Sequence, residues 1–236
     1  MGAILYVGLI PFIPSFTWLS FVLKSDVHPE RMRDISLVFI IGILSAVPIL
    51  FLAFLGEHII EVFGLSISPV MHSFIFGAVN EELTKIVLLY LFAMTSQFWD
   101  EPIDIFIYAA TLALGFAGIE NVAMAVQYLD TIGTEVTFEY TLILRSITAV
   151  LVHIISTFIF AYGLSLYKQS HKFWMLGVGI VSSVGFHGAY NYSLQVDNIY
   201  DNAFLIFYTV VFIPTFFVMI SQVRRLQALS RQGSDL

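Results

Sequence analysis

Residues 104–128 read DIFIYAATLALGFAGIENVAMAVQY, an apolar run in which Glu120 is the one charged residue after Asp104. About 20 mostly apolar residues in a helix are enough to cross the hydrocarbon core of a bilayer. The length and composition of the run therefore predict a transmembrane helix. A glutamate deep inside such a helix is energetically costly and by default indicates a functional site.

The rest of the chain repeats this pattern. Hydrophobic residues make up 58% of the 236 residues and charged residues 11%, whereas soluble domains carry about 25% charged residues. Scarce, unclustered basic residues argue against nucleic acid as a partner, and a chain without cysteine has no thiolate metal site. We predict an all-α, polytopic transmembrane helix bundle with about seven spans: Ala3–Leu23, Ile35–Gly56, Pro69–Thr95, Asp104–Tyr128, Thr141–Tyr167, Phe173–Leu194 and Ala203–Gln222.

The basic residues outside the spans predict the orientation. Seven spans place two of the connecting loops and the C-terminal tail on the same side of the membrane. These three segments hold Lys24, Arg31, Arg33, Lys168, Lys172, Arg224, Arg225 and Arg231. Because positively charged loops stay in the cytoplasm, the N-terminus is expected outside and the C-terminus inside. We expect an integral protein of the prokaryotic cytoplasmic membrane.

Seven charged or histidine residues fall well inside the predicted spans, away from the span ends. They are Glu81, Glu82, Lys85, Glu120, Arg145, His153 and His187. Each costs about 2.5–3.5 kcal/mol at mid-bilayer on insertion scales, so such residues are expected to pair with one another. The interval of four residues places Glu81 and Lys85 on one helical face, and His187 and Asn191 on another. At about 1.5 Å rise per residue, four spans deliver these groups to one band in the outer half of the membrane.

The charges of this cluster do not balance. Three carboxylates face the two fixed cations, Lys85 and Arg145, which leaves one negative charge if the histidines are neutral. Either one carboxyl holds a proton or a bound cation supplies the balance. A carboxyl that exchanges a proton beside a histidine is what activation of a water molecule by a general base requires.

Five motifs on successive predicted helices resemble those of the PrsW-type intramembrane proteases, relatives of the type II CAAX-prenyl endopeptidases. They are EExxK at residues 81–85, EPxDxxxYA at 101–109, LGFAxxEN at 114–121, Arg145 with His153, and HxxxN at 187–191. The resemblance covers roughly residues 74–191. It implies an integral membrane protease domain at residues 1–223 with its core motifs at 74–191, followed by a cytoplasmic tail at 224–236.

The resemblance also implies the activity and the roles of the residues. It implies cleavage of a peptide bond in or near the membrane in a membrane-protein substrate, with site-1 cleavage of a single-span anti-sigma factor as one example. Carried over to this chain, Glu81 is the general base, and His187 with Asn191 stabilises the oxyanion. The full set of candidate catalytic residues is Glu81, Glu82, Glu120, His153, His187 and Asn191, supported by Lys85, Asn121 and Arg145.

Three alternatives stay open at the level of sequence. No cofactor is favoured, but Glu120, His153 and His187 offer the nitrogen and carboxylate ligands of a zinc metalloprotease. A proton-coupled transporter also keeps ionisable residues in its spans, although no repeat of the polar pattern is found between two halves of the chain. A non-catalytic scaffold would use the same polar groups only as interhelical bridges.

Overall fold

The computed structural model describes residues 8–95, 99, 101, 103–131, 142–195 and 202–231. The regular elements in these ranges are all helical, which confirms the predicted all-α class. The longer helices are α1 (Ile13–Lys24), α2 (Met32–Leu44), α3 (Ala46–Phe63), α4 (Asn80–Thr95), α5 (Asp104–Thr131), α6 (Ala149–Ser170), α7 (Trp174–Gln195) and α8 (Ile213–Arg231).

Shorter elements lead into several of these helices. A 3₁₀ turn at Ile10–Phe12 precedes α1. The short helix Pro69–Met71 and a π-helix at His72–Val79 lead into α4, and Ala203–Ile206 with a second π-helix at Phe207–Phe212 leads into α8. Residues 142–147 are helical, and the backbone breaks at Thr148 (φ −118°, ψ −88°) before α6 begins.

Four helical stretches are long and apolar enough to cross a membrane. They are Met32–Phe63, Asp104–Gln127, Leu142–Ser170 and Ala203–Arg231, which correspond to predicted spans two, four, five and seven. The other three predicted spans also contain helices, in the apolar segment Ile10–Lys24, in residues 69–95 and in α7. Residues 69–95 carry Glu81, Glu82 and Lys85, so composition alone does not mark them as a span. The number of seven and the orientation of the termini stay predictions.

The centre of the bundle is α5. It packs against α1, α2 and α6, while α6 packs along α7, and α7 also contacts the π-helix before α4. Most of Asp104–Gln127 and Leu142–Ser170 is buried, whereas most of Met32–Phe63 and Ala203–Arg231 is exposed although both are apolar. Exposed apolar side chains such as Phe54 and Phe217 are expected where a helix faces lipid.

The contact between α2 and α5 requires glycine on both helices. A Cβ added at Gly115 would collide with the carbonyl oxygen of Phe39, and one added at Gly42 would collide with that of Leu112. Small residues let two backbones approach closely, and such contacts drive helix association in a membrane, where burial of apolar surface gains little. This packing fixes the part of α5 that carries Glu120 one turn further on.

Candidate active site

The predicted polar residues meet between four parts of the bundle. Their positions are Glu81, Glu82 and Lys85 on α4, Glu120 and Asn121 on α5, Arg145 before the break at Thr148, His153 on α6, and His187 and Asn191 on α7. The structure therefore brings together side chains that lie up to about a hundred residues apart in the chain.

Glu82 lies at the centre of the cluster and is completely buried. Its Oε1 accepts a hydrogen bond from Lys85 Nζ at 2.5 Å and lies 2.7 Å from His187 Nδ1. The hydroxyls of Ser156 and Ser183 donate to its two oxygens at 3.0 and 2.9 Å. Glu82 therefore holds the imidazole of His187 in place and does not face open space. The two serines were missed by sequence reasoning, since buried helical serines give no distinctive signal.

Lys85 pairs with Glu82, three residues earlier, rather than with Glu81 on the expected i,i+4 face. Its ammonium also lies 3.2 Å from His153 Nδ1 and 4.9 Å from the centre of the Phe116 ring. A fully buried lysine needs such partners, because an unpaired charge is expensive to desolvate. Lys85 is thus a positioning residue that ties α4 to α5 and α6.

Glu120 forms a second ion pair. Arg145 Nη2 donates to Glu120 Oε2 at 2.6 Å, and His153 Nε2 lies 2.9 Å from the same oxygen. The Arg145 Nε donates to Asn121 Oδ1 at 2.8 Å, while the Asn121 amide reaches the carbonyl of Pro11 at 3.3 Å. Arg145 and His153 therefore contact the same carboxylate from the two sides of the break at Thr148.

Glu81 is the third carboxylate of the cluster and takes part in neither of these two ion pairs. Its Oε2 is buried and has no hydrogen-bond partner among the described residues. His187 Nε2 lies 3.8 Å from this oxygen, a distance too long for a hydrogen bond. Since Lys85 offsets Glu82 and Arg145 offsets Glu120, the missing positive charge belongs beside Glu81. One proton on Glu81 or His187 makes the cluster neutral, whereas a metal dication at this place would leave it with a net charge of +1.

A cavity of about 310 Å³ opens beside this group. His187, Asn191 and Glu120 line it, together with Ser73 and Gly77 from the π-helix. The amide of Asn191 packs onto Gly77, where an added Cβ would come within 2.8 Å of Nδ2. A pocket with a carboxylate, imidazole and amide around it can hold a water molecule and a peptide carbonyl inside an apolar bundle.

The side chains fit a metal ion in type and mutual distance. One atom each from Glu81, His153 and His187 lie within 4.8 Å of one another, and two histidines with one glutamate are a familiar catalytic zinc set. Glu82 on His187 Nδ1 supplies the carboxylate that usually orients a ligating histidine. This group differs from the predicted set, because Glu81 replaces Glu120, which is engaged by Arg145. Both nitrogens of His153 already have partners, however.

The motif at residues 101–109 lies apart from this cluster and has a structural role. The backbone N–H of Glu101 donates to Asp104 Oδ2 at 2.6 Å at the start of α5, and the Glu101 side chain pairs with His28. The Tyr108 hydroxyl donates to Glu30 at 2.5 Å. These contacts join the loop between α1 and α2 to α5. In that loop, burial raises the pKa of Asp26 above its usual range.

The fold and the site together define a polytopic membrane enzyme with a polar cavity among its apolar helices. The model of a family described as PrsW family intramembrane metalloprotease matches residues 30–219. The chain therefore belongs to the PrsW family of intramembrane proteases, and it is an integral membrane peptide hydrolase. Both the predicted family and the predicted class of enzyme are confirmed.

Relatives named as proteases agree over most of the chain. It is 26% identical to Protease PrsW of Geobacillus kaustophilus over 82% of this chain and 80% of the relative. The identity is 29% to Protease PrsW of Oceanobacillus iheyensis, over 83% and 84%, and 26% to that of Bacillus subtilis, over 82% and 84%. No solved structure matches the chain. The family description names a metalloprotease.

Proposed function

We propose that this protein is an endopeptidase that hydrolyses a peptide bond of a membrane-protein substrate with Glu81 as the general base. The observation that supports this proposal is the unpaired, buried oxygen of Glu81 facing His187 Nε2 across 3.8 Å. The other two carboxylates, Glu82 and Glu120, form ion pairs with Lys85 and Arg145 respectively. Glu81 is therefore the carboxylate whose proton can move without breaking an ion pair.

The reaction begins with a water molecule between Glu81 and the substrate carbonyl. Glu81 takes a proton from the water as the water oxygen bonds to the carbonyl carbon. The same carboxyl then gives this proton to the amine nitrogen as the C–N bond breaks. His187 is held by Glu82 at Nδ1, which directs Nε2 at Glu81. In this arrangement Glu82 orients the imidazole and Glu81 carries the exchanging proton.

The developing oxyanion requires hydrogen-bond donors in the cavity that is lined by His187, the neighbour of Glu81. The Asn191 amide lies one helical turn from His187 on α7 and lines the cavity, so it can donate through Nδ2. A protonated His187 can donate through Nε2. Loss of one such donor typically lowers the rate by about 10²–10³. Lys85 and Arg145 take no part in these steps, because they are engaged by Glu82 and Glu120.

The family description makes zinc the competing chemistry, and Glu81, His153 and His187 would hold it. A bound zinc ion would polarise the carbonyl and ease loss of a proton from water. Both nitrogens of His153 are engaged in the cluster, since Lys85 Nζ lies 3.2 Å from Nδ1 and Glu120 Oε2 lies 2.9 Å from Nε2. His153 would have to give up one of these contacts to become a ligand. We therefore favour the metal-free mechanism.

The substrate that we propose is a single-span protein of the prokaryotic cytoplasmic membrane, with an anti-sigma factor as the leading example. Two considerations support this class. The motifs resemble those of proteases that act at such sites, and the predicted orientation puts the polar cluster in the outer half of the bilayer. A single span offers a scissile bond at that depth without the removal of neighbouring helices.

The test compares cleavage of candidate single-span proteins by the purified wild type, by Glu81→Gln and by Glu61→Gln. Glu61 is an exposed glutamate on α3 outside the cluster, so it serves as the matched control. We expect Glu81→Gln to lower kcat by at least about a hundredfold while Glu61→Gln behaves as wild type. Cleavage by Glu81→Gln at the wild-type rate would show that another group is the base. If the wild type cleaves no candidate but shows proton-coupled transport that Glu81→Gln loses, the protein would be a transporter and not a protease.

A further inference from the structure

Ser73 is a polar residue of the cavity that the proposed mechanism does not use. Only 2% of its surface is exposed, and its hydroxyl has no hydrogen-bond partner among the described residues. It nevertheless lines the cavity together with His187 and Asn191. A buried hydroxyl without a partner is unfavourable, so its retention at this place requires a reason.

Serines in helices ordinarily bond to a carbonyl of the preceding turn. In this protein Ser193 donates to the carbonyl of Tyr190 at 2.7 Å, and Ser170 donates to that of Leu166 at 2.7 Å. Ser73 does not make this bond, although it lies inside a helix. The π-helix His72–Val79 that contains it has a wider turn than an α-helix, a feature found frequently at functional sites.

The position of Ser73 relates it to the reacting groups. Ser73, Gly77 and Glu81 follow one another at intervals of four residues, and therefore lie close to one face of this helical segment. The amide of Asn191 packs onto Gly77, and His187, whose Nε2 lies 3.8 Å from Glu81 Oε2, lines the same cavity as Ser73. Ser73 lies about one further turn towards the predicted outer surface.

A substrate needs a polar partner at this place. A transmembrane helix must unwind around its scissile bond before water can attack the carbonyl, which leaves N–H and C=O groups without their helical partners. Each such group is costly in the hydrocarbon region unless the enzyme satisfies it. A hydroxyl can both donate and accept, so it suits either kind of backbone group.

We propose that Ser73 is a substrate-binding residue whose hydroxyl bonds to the unwound backbone of the substrate one or two residues from the scissile bond. This inference rests on the proposed function, because it takes the cavity as the place where the substrate is cleaved. Ser73 contributes to affinity for the unwound segment and takes no proton in the reaction.

The test uses a fluorescently labelled single-span peptide whose outer end carries a helix-breaking Gly–Gly pair, and the same peptide with Leu–Ala at that place. Binding is measured in Glu81→Gln protein, which holds the peptide without cleaving it. Adding Ser73→Ala should weaken binding of the Gly–Gly peptide roughly three- to tenfold, the effect of one hydrogen bond. Binding of the Leu–Ala peptide should not change, and Ser73→Thr should restore affinity.

Ser193→Ala is the matched control, since it removes a buried hydroxyl that already has a partner on α7. The melting temperature of Ser73→Ala should equal or exceed that of its parent, because no bond is lost in the resting protein and an unsatisfied buried hydroxyl is removed. Three results would each overturn the proposal. The parent and its Ser73→Ala variant could bind the Gly–Gly peptide with equal affinity, the parent could fail to bind it at all, or Ser73→Ala could lower the melting temperature. A binding effect of Ser73→Ala without any cleavage by the wild type would refute the proposed hydrolysis and leave the binding role standing.

Discussion

Replacing Glu82 by glutamine removes the negative charge from a completely buried side chain with four partners. The ammonium of Lys85, which is also fully buried, then loses its counter-charge. Breaking a buried ion pair on one side typically costs about 3–5 kcal/mol. At about 2–4 °C per kcal/mol for a protein of this size, the melting temperature should fall by roughly 6–20 °C.

The neighbouring substitution Glu81→Gln should behave in the opposite way. The Glu81 carboxylate has no cation of its own and one oxygen without a partner among the described residues, so a neutral amide removes a charge that is unfavourable to bury. We expect the melting temperature of Glu81→Gln to equal or exceed that of the wild type, although both variants lose activity. The two isosteric changes at adjacent positions therefore separate the base from the positioning residue.

The assay is thermal unfolding of the purified variants in one mild detergent, followed by tryptophan fluorescence. The double variant Glu82→Gln with Lys85→Met provides the internal control, because it removes both charges of the pair and should recover part of the stability that Glu82→Gln loses. Equal destabilisation by Glu81→Gln and Glu82→Gln would refute the assignment of the ion pairs. A fall for Glu81→Gln that chelation of the wild type reproduces would instead indicate a bound metal.

Three further predictions concern other parts of the molecule. The chain has no cysteine, so single cysteines can be introduced as labelling sites. Cysteines at Thr134 and Asn198, both outside the described residues, should react with an impermeant label from outside intact cells, and one at Gln169 should not. The reverse pattern would contradict the predicted topology. Prolonged treatment with phenanthroline should leave activity intact, and elemental analysis should find substoichiometric zinc, whereas one zinc per chain with activity lost on its removal and restored on its return would exclude the metal-free mechanism. Gly115→Ala should lower the melting temperature by several degrees, because the new Cβ meets the carbonyl oxygen of Phe39; an unchanged value would show that α2 and α5 can separate without loss.

Much of the helical architecture was accessible from the sequence. Helical hydrogen bonds are local and the thickness of the bilayer sets the length of an apolar span, so composition along the chain predicts both. The prediction was less successful inside the site. It placed Lys85 on the same helical face as Glu81 by the i,i+4 spacing and did not foresee that Lys85 pairs with Glu82. It also gave Ser73 no role, because a serine near a span end looks ordinary until its surroundings are known.

The sequence by itself determined the class of fold, the family, and the ionisable residues that must share one polar site. Those conclusions follow from composition and from motifs at fixed local spacing. Only the tertiary structure decided which carboxylate is left without a cation. That answer depends on the rotation of α4 after the π-helix and on side chains from other helices, such as Ser156 and Ser183, which hold Glu82. The Glu82–Lys85 pair lies within one helix, but the choice of Glu82 over Glu81 depends on partners from other helices, and no local pattern of residues encodes the distances to those partners.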